Sequence, residues 1–174
     1  MPVQDQSAAG RLVEIGDRAR QMVTALDEIV WAMNPKHDSL TSLVSYSCLY
    51  ADRFLKLANI ACRLKGTVDL PDRTVNSVCR HEFFLAFKEA LTNVVRHSGA
   101  TEVRLGFQFE AGQLRLSIAD DGRGFPATPP TEAMDGVSNM RQRIEKLGGR
   151  CEMRSQPGKG TLVRFYVPPT TSND

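Results

Sequence analysis

The chain lacks several features that would assign it to a class of protein at once. Its four cysteines are far apart and form no CxxC pair, so the sequence predicts neither a zinc site nor a disulfide framework. The formal charge is only +2, and no basic run resembles a nucleic-acid footprint or a membrane-binding patch. We therefore expect no nucleic-acid partner and no direct membrane contact, and we interpret the cysteines as buried hydrophobes in a reducing compartment.

Long apolar segments are also missing. The N-terminus, MPVQDQSAAG, lacks the apolar core of a signal peptide, and no run elsewhere is long enough to cross a bilayer. We expect a cytoplasmic chain, which is compatible with a membrane anchor upstream of Met1 in a longer parent. With 174 residues, 41% of them hydrophobic, the chain is long enough for one compact domain and an appendage.

The first third of the chain has the pattern of two helices. Apolar residues from Leu12 to Met33 alternate spacings of three and four, which is typical of a helix that packs on another helix, and Asn34-Pro35 ends it. The apolar stripe is wide enough for a four-helix arrangement as well as for a two-stranded coiled coil. The alternative is an amphipathic helix lying on its own domain. A second helix is predicted from Ser39 to about Ala58, with Asp38 or Ser39 as its cap.

The rest of the chain combines strands and helices. IACRLKG predicts a short strand, and a helix is predicted from about Val75 to Arg96, with Gly99 just past its end. EVRLGFQFE and QLRLSIADD predict an antiparallel hairpin, SNMRQRIEKLGG a helix beginning near Ser138, and RCEMRSQ and TLVRFYVP a further strand pair around PGKG. The predicted fold class is α+β, with helices packed on one face of a mixed sheet.

The stretch EALTNVVRHSGA places four polar residues on one side of a helix whose other side is apolar. Asn93 can supply one oxygen to a magnesium ion that takes its other ligands from phosphates and water. Arg96 can meet phosphate oxygens, His97 can cap the helix or contact phosphate, and Glu89 can accept a proton or order a water. The alternative is a solvated helix face.

Two glycine-containing turns and the segment after the first turn complete the candidate site. In DDGRGFP, Asp120 can accept a hydrogen bond from an exocyclic amine, and Gly122 and Gly124 permit close backbone approach to a ligand. Residues 126–136 are interpreted as a lid that leads into a helix N-terminus suited to an anion. In PGKGT, Lys159 can contact phosphate and Thr161 can place its hydroxyl at the mouth of the pocket. The alternatives are ordinary turns and a disordered connector.

These four segments resemble the motifs of sensor histidine kinases. EALTNVVRHSGA is similar to their N box, in the variant that begins with Glu and occurs in the group that acts on LuxR/NarL-type response regulators (HisKA_3). DDGRGF resembles the first glycine box, GVSNMRQRIEKLGG the second, and PGKGT the terminal Gly-Thr element. Their order and spacing cover roughly residues 38 to 168.

The resemblance implies the Bergerat ATP-binding fold of the GHKL proteins, a two-layer α/β sandwich with a mixed, mostly antiparallel sheet, here preceded by a long helix. It implies ATP and Mg²⁺ as cofactors. Asp120 would bind the adenine amine, with Thr161 near the base, and Asn93 would hold magnesium. Glycines 122, 124 and 136 would shape the pocket and hinge the lid, and Gly160 belongs to the terminal element.

The resemblance also implies a domain organisation. Residues 1–36 are similar to the second helix of a dimerisation and histidine-phosphotransfer hairpin, residues 38–169 form the ATP-binding domain, and residues 170–174 are a tail. The helix that carries the phosphoacceptor histidine has no counterpart among these residues. His37-Asp38 mimics the His-acidic pair of a phosphoacceptor, but it follows Asn34-Pro35 at a break between helices, so we do not expect it to be the acceptor. His81 is interpreted as structural and His97 as part of the nucleotide site.

The expected function is therefore that of a catalytic domain that binds Mg-ATP and transfers the γ-phosphoryl group to a histidine, with Glu89 handling the proton. A LuxR/NarL-type response regulator would be the partner, the intact protein would be a homodimer, and this chain alone is not expected to autophosphorylate. The alternatives are an ATP hydrolase of the same fold and a non-catalytic nucleotide-binding or dimerisation module.

Overall fold

The structure is a computed structural model that describes residues 4–66, 69–126 and 131–169. The predicted tail and residues 127–130 of the predicted lid lie outside these ranges. Within them, none of the helices combines the length and apolar character that crossing a bilayer requires. In chain order the elements are α1 (Gln4–Met33), α2 (Leu40–Leu57), β1 (Ala61–Lys65), α3 (Ser77–Asn93), β2 (Glu102–Glu110), β3 (Gln113–Asp120), α4 (Thr131–Lys146), β4 (Arg150–Ser155) and β5 (Thr161–Val167).

The five strands form one mixed sheet in the order β1-β2-β3-β5-β4. β1 runs parallel to β2, and the other neighbouring pairs are antiparallel. Alternate side chains of the strands point to one face, where they pack against the helices. This arrangement confirms the predicted fold class. The strand residues of this core that are at most 2% exposed are Val103, Leu105, Phe107, Leu114, Leu116, Ile118, Phe165 and Val167.

Both predicted hairpins are present. β2 and β3 are joined by Ala111 and Gly112, which have φ values of 49° and 75°. Two consecutive positive φ values give the turn the twist that antiparallel strands prefer. β4 and β5 pair around the PGKG turn, with Ser155 opposite Thr161. The alternation of apolar and polar residues therefore identified these four strands correctly.

The predicted helix ends are confirmed at several positions and wrong at one. The Ser39 hydroxyl caps α2 by accepting a hydrogen bond from the Ser42 N–H at 3.1 Å, and Gly99 follows the third helix with φ 62°. The prediction that the fourth helix begins near Ser138 is wrong, because α4 already begins at Thr131. Gly136 lies inside α4, facing α3 so closely that a Cβ would meet a Glu89 carboxylate oxygen at 2.5 Å. Packing against α3, which the sequence pattern does not reveal, accommodates a glycine within the helix.

α1 contacts the rest of the molecule through its C-terminal end. The Trp31 ring stacks on Tyr46 at a centroid distance of 3.9 Å, and Lys88 of α3 pairs with Glu28 at 2.8 Å. The apolar stripe of α1 is nevertheless exposed as far as Met33, because Trp31 and Glu28 lie on the side of the helix that contacts the domain. The alternative of a helix that lies on its own domain therefore describes only this C-terminal end. The exposed apolar residues of α1 are Val13, Ile15, Met22, Val23, Leu26, Ile29, Val30 and Met33.

Candidate functional site

An open cavity lies between the helix layer and the sheet. α3 and α4 form one side of it, and the ends of β3, β4 and β5 form the other. Most of its wall is apolar, with a few polar side chains that converge from separate elements, which is the usual composition of a ligand pocket. The lining residues are Ala90, Asn93, Val94, His97, Ser98, Ile118, Asp120, Gly124, Phe125, Val137, Met140, Met153, Thr161 and Val163.

The end of α3 is shaped by a π-helical turn, Val94–Ser98. Single π turns are rare and occur frequently at functional sites, because they change the direction in which the following side chains point. The Ser98 hydroxyl holds this turn by donating to the Val94 carbonyl at 2.7 Å and accepting from the Ala100 N–H at 3.0 Å. Asn93 and His97 both reach the cavity from this widened end.

Two adjacent carboxylates after β3 have different surroundings. Asp120 is half-buried and lines the cavity, and burial raises the pKa of its carboxyl, although hydrogen bonds from the Gly122 and Thr161 backbone lower it in part. Asp121 is exposed and accepts from the Thr101 N–H at 2.8 Å and the Glu102 N–H at 2.9 Å. The Glu102 backbone bond, followed by the Thr101 hydroxyl bond, lowers the pKa of the Asp121 carboxyl. Asp120 is thus free to face a ligand, whereas Asp121 holds the start of β2.

Arg123 connects three segments of the site. Its N–H donates to the Ser98 carbonyl at 2.8 Å, and its Nε donates to the His97 carbonyl at 2.7 Å. Its carbonyl accepts from the Gly158 N–H at 2.6 Å. The end of α3, the turn after β3 and the β4–β5 turn are therefore held together by one residue, and the polar groups of the cavity are fixed relative to one another.

The predicted glycines provide close approach between segments of the chain. A Cβ on Gly122 would overlap the Ser98 carbonyl, and one on Gly124 would overlap the Gln156 carbonyl. Gly160 has φ 75°, and a Cβ there would overlap the Asp120 carbonyl. The space beside these glycines is filled by neighbouring backbone, so they hold the segments of the site close together, and Gly124 itself lines the cavity.

The remaining predicted residues occupy different places around the cavity. The Glu89 carboxylate lies beside Gly136, where the Asn93 amide also lies. Thr161 lines the cavity, and its hydroxyl is 2.9 Å from the Ser155 hydroxyl. Arg96 is exposed and does not line the cavity. Lys159 and Gly160 line a second hollow, which also touches Asp120 and Thr161.

The apolar walls of the site and the role of Ser155 were not predicted from the sequence. Ile118, Met140, Met153 and Val163 line the cavity, and no site role was predicted for them. The Ser155 hydroxyl accepts from the Phe125 N–H at 2.9 Å and so ties the first glycine turn to β4. Little in the sequence indicated this role for Ser155, because a serine at the end of a strand is common.

The lining fits a nucleotide. An apolar slot with one half-buried carboxylate suits a planar base that has an exocyclic amine. Asn93 offers an amide oxygen, and among the described residues no group of three or more His, Cys, Asp and Glu side chains could hold a metal ion. A magnesium ion at Asn93 would therefore take its remaining ligands from phosphates and water, which is the usual arrangement for nucleotide-bound magnesium.

Comparison with known proteins gives a consistent result. A family model described as histidine kinase-, DNA gyrase B- and HSP90-like ATPase matches residues 80–171. The sensor histidine kinase LiaS of Bacillus subtilis is 34% identical over 100 residues, which are 58% of this chain and 28% of LiaS. The sensor protein VraS of Staphylococcus haemolyticus is 30% identical over 111 residues, 64% of this chain and 32% of VraS. The chain thus spans less than a third of the length of these relatives.

Solved structures share the fold. The histidine kinase domain of the blue-light activated kinase from Erythrobacter litoralis EL346 superposes with a TM-score of 0.59 and 25% identity, covering 73% of this chain and 61% of that one. Full-length ShkA in complex with AMPPNP gives a TM-score of 0.67 over 100% of this chain and 41% of ShkA, and at 18% identity it supports the fold alone.

Proposed function

The chain belongs to the family of histidine kinase-, DNA gyrase B- and HSP90-like ATPases, and from this membership we propose that it is the ATP-binding catalytic domain of a sensor histidine kinase. It binds Mg-ATP and transfers the γ-phosphoryl group to a histidine. The observation that carries the proposal is the position of Asn93, on the helix layer, and Asp120, at the end of β3, in the lining of one cavity.

Asp120 recognises the base in this proposal. Its carboxylate accepts a hydrogen bond from the exocyclic amine, and Thr161 lies beside the ring. Ile118 and Met140 contribute apolar contacts and exclude water from the ring. The hydrogen bond that Asp120 accepts from Gly122, at 2.9 Å, fixes the carboxylate before the nucleotide enters.

Asn93 and its neighbours hold the triphosphate end. The Asn93 amide oxygen is the single protein ligand of magnesium, which neutralises phosphate charge when bound. His97, which reaches the cavity, contacts a phosphate, and Arg96 reaches the same group from outside the lining. The role of Lys159 stays a prediction, because its side chain lines the second hollow.

Glu89 is the proposed proton-handling group. Its carboxylate lies next to Gly136 and close to the Asn93 amide, so it is placed near the metal end of the nucleotide. From there it accepts the proton of the acceptor imidazole or orders a water in the outer shell of the metal. Gly136 leaves the room that this carboxylate occupies, and any larger residue would displace it.

The partners follow from the relatives, which are sensor histidine kinases and sensor proteins. The acceptor histidine lies on another helix of the intact protein, and the phosphoryl group passes on to a response regulator of the LuxR/NarL type. The exposed apolar stripe of α1 packs in a helical bundle of a homodimer. Residues 1–36 are part of that bundle, residues 38–169 form the catalytic domain, and the domain works in the cytoplasm.

Incubation with γ-labelled ATP and a separate phosphoacceptor hairpin tests the proposal. We expect label on the hairpin histidine. Glu89→Gln should slow transfer by about 100-fold or more, the range of a general base, while the Kd for ATP stays the same. Glu82→Gln is the matched control, since Glu82 lies on the same helix but pairs with Arg143 at 2.7 Å outside the cavity. Release of free phosphate with an unlabelled hairpin would indicate a hydrolase instead, and an unlabelled hairpin without hydrolysis would indicate a non-catalytic module.

A further inference from the structure

The face of the sheet that points away from the helices carries a concentration of positive charge. Side chains on this outer face line up in rows across the strands, because cross-strand partners point to the same side. In the strand order from β1 to β4, one row contains Arg63, Arg104, Ala119, Leu162 and Arg154. The next row contains Lys65, Gly106, Ser117, Arg164 and Glu152. A third row, which begins on β2, contains Gln108, Arg115, Tyr166 and Arg150.

The charge of this face is out of proportion to that of the chain. The outward positions of the strands hold seven Lys and Arg and three Glu, whereas the whole chain has 22 basic and 20 acidic residues. The remaining residues therefore contain 15 basic and 17 acidic side chains. The net positive charge of the protein comes from this one surface, which would attract anions over a distance of about a Debye length.

An open hollow lies within the outer face. Two of its lining residues, Ser117 and Ala119, are small and lie on the central strand β3. The floor of the hollow is therefore formed by short side chains, and longer basic side chains surround it. Gly106, beside Ser117, adds no side chain to this floor, and a Cβ there would lie 2.7 Å from the Ser117 hydroxyl. The lining contains four cations and no acidic residue: Lys65, Arg104, Arg115, Ser117, Ala119, Leu162 and Arg164.

The four cations of the hollow are only partly neutralised by the protein. Arg104 pairs with Glu102 at 2.7 Å, and Arg115 pairs with Glu110 at 3.2 Å. Lys65 and Arg164 form no ion pair with any other residue in the part of the chain that the structure describes. The hollow thus holds two uncompensated positive charges and two more that are shared.

We propose that this outer hollow binds a small soluble ligand with a diphosphate group. A phosphate monoester carries about 1.5 to 2 negative charges at neutral pH. A diphosphate carries more charge than one such group and therefore suits a hollow with two uncompensated cations and two that are shared with glutamates. Arg164, which has no ion pair among the described residues, can donate in parallel to two phosphate oxygens, and Arg104 and Arg115 add charge that they share with Glu102 and Glu110. The Ser117 hydroxyl at the centre can donate as well. A concave site with one centre fits a compact anion better than a bilayer or a duplex, whose charges extend in a plane or a row.

The outer hollow and the nucleotide cavity share no lining residue, although Arg104, Ala119 and Leu162 of the outer hollow also line the second hollow, which reaches Asp120 and Thr161. β3 divides them, because Ile118 and Asp120 line the cavity while Ser117 and Ala119 line the hollow. The proposal therefore does not rest on the kinase function. A ligand in the outer hollow would contact β3 and β5 directly behind the base-binding end of the cavity.

Calorimetric titration of the chain with inorganic pyrophosphate, without magnesium, tests the proposal. The double variant Lys65→Ala/Arg164→Ala should bind at least tenfold more weakly than the wild type. Arg53→Ala/Lys56→Ala removes the same charge from exposed positions of α2 and should bind as the wild type does. His97→Ala removes the phosphate contact proposed in the nucleotide cavity and should also retain binding of pyrophosphate. Orthophosphate should bind at least tenfold more weakly than pyrophosphate. Melting temperatures of the variants check that each one is folded.

Four results would overturn the proposal. Unchanged affinity in the Lys65/Arg164 variant would show that the hollow is not the site. An equal loss in the α2 variant would show general charge attraction. Loss in His97→Ala alone would place pyrophosphate in the nucleotide cavity. Equal affinity for orthophosphate would exclude a requirement for two phosphoryl groups.

Discussion

The two faces of the sheet are built from the same strands and carry opposite chemistry. On the inner face, apolar side chains form the core. Asp120, at the end of β3, is the carboxylate of that strand that lines the cavity. On the outer face, small residues at the centre of β3 are surrounded by arginines and a lysine. Because side chains alternate along a strand, moving one residue along β3 changes the environment from an apolar cavity with a carboxylate to a basic hollow.

The difference shows how one sheet can separate two kinds of recognition. The inner cavity selects by shape and by one hydrogen bond in a partly dry setting, where an unmatched polar group is costly. The outer hollow is solvated, so its attraction for anions depends on the number of charges and on salt. Substitutions on the inner face should therefore have large, specific effects, and substitutions on the outer face small effects on the fold.

The largest effect on stability is expected at Gly160, in the turn between β4 and β5, where the backbone lies against the Asp120 carbonyl. Gly160→Ala adds a Cβ that overlaps the Asp120 carbonyl at a residue with φ 75°, so the free energy of unfolding should fall by at least about 3 kcal/mol. Gly158→Ala is the matched control, because Gly158 has φ 76° but nothing within 4 Å of a Cβ, and it should cost about 1–2 kcal/mol. Urea unfolding measures both, and equal losses would contradict the close contact.

The next largest effect is expected on ATP affinity, at the adjacent carboxylates Asp120 and Asp121. Asp120→Asn replaces the acceptor proposed for the base amine with an amide, and the loss of a charge-assisted hydrogen bond of about 1.5–3 kcal/mol should weaken ATP binding about 10- to 100-fold. Asp121→Asn should leave ATP affinity unchanged, because Asp121 bonds to Thr101 and Glu102 outside the cavity. Titration with ATP checks the pair, and equal affinities of both variants would remove Asp120 from the site.

The same pair should differ in its stability as a function of pH. The pKa of Asp121 is lowered on folding, so its contribution is present above the unfolded value of about 3.8 and is lost as pH falls through the folded pKa. Asp121→Asn should therefore cost about 1 kcal/mol at pH 7, and the gap from the wild type should narrow below pH 3.8.

Asp120 should behave in the opposite way. Its pKa is raised by burial, so its contribution to stability is present at low pH and is lost as pH rises through the folded pKa. The free chain of Asp120→Asn should then be at least as stable as the wild type at pH 7. Thermal unfolding between pH 3 and pH 7 measures both variants, and a less stable Asp120→Asn at pH 7 would show that the carboxylate stabilises the fold.

Much of the sheet and of the nucleotide cavity was predictable from the sequence. Alternation in EVRLGFQFE and QLRLSIADD gave both strands, and Ala-Gly gave the turn. The polar side of EALTNVVRHSGA led to Asn93 and His97, which the structure brings to one cavity with Asp120. Local patterns sufficed here because each motif lies at the end of a regular element.

The outer hollow and the start of α4 were not predictable in the same way. Each strand carries an Arg or Lys at its outward positions, but the cations come from β1, β2, β3 and β5 and are never consecutive. Only the strand order and register place them together, and these depend on long-range packing. The early start of α4 depends on how Gly136 packs against α3, which is equally a tertiary property.

The smallest effect is expected at Gly106, on the outer face. Gly106→Ala adds a Cβ next to the Ser117 hydroxyl, which can rotate away, so the free energy of unfolding should stay within about 0.5 kcal/mol of the wild type. ATP affinity should not change, because Gly106 is outside the cavity. Urea unfolding provides the measurement, and a loss above about 2 kcal/mol would show that the outer face is as tightly packed as the inner one.

A crystal structure of the chain with a non-hydrolysable ATP analogue and magnesium tests the central claim most directly. We expect the exocyclic amine of the base within about 3 Å of an Asp120 carboxylate oxygen. The Asn93 amide oxygen should lie about 2.1 Å from the metal. A nucleotide bound elsewhere, with neither Asp120 nor Asn93 in contact with it, would contradict the account.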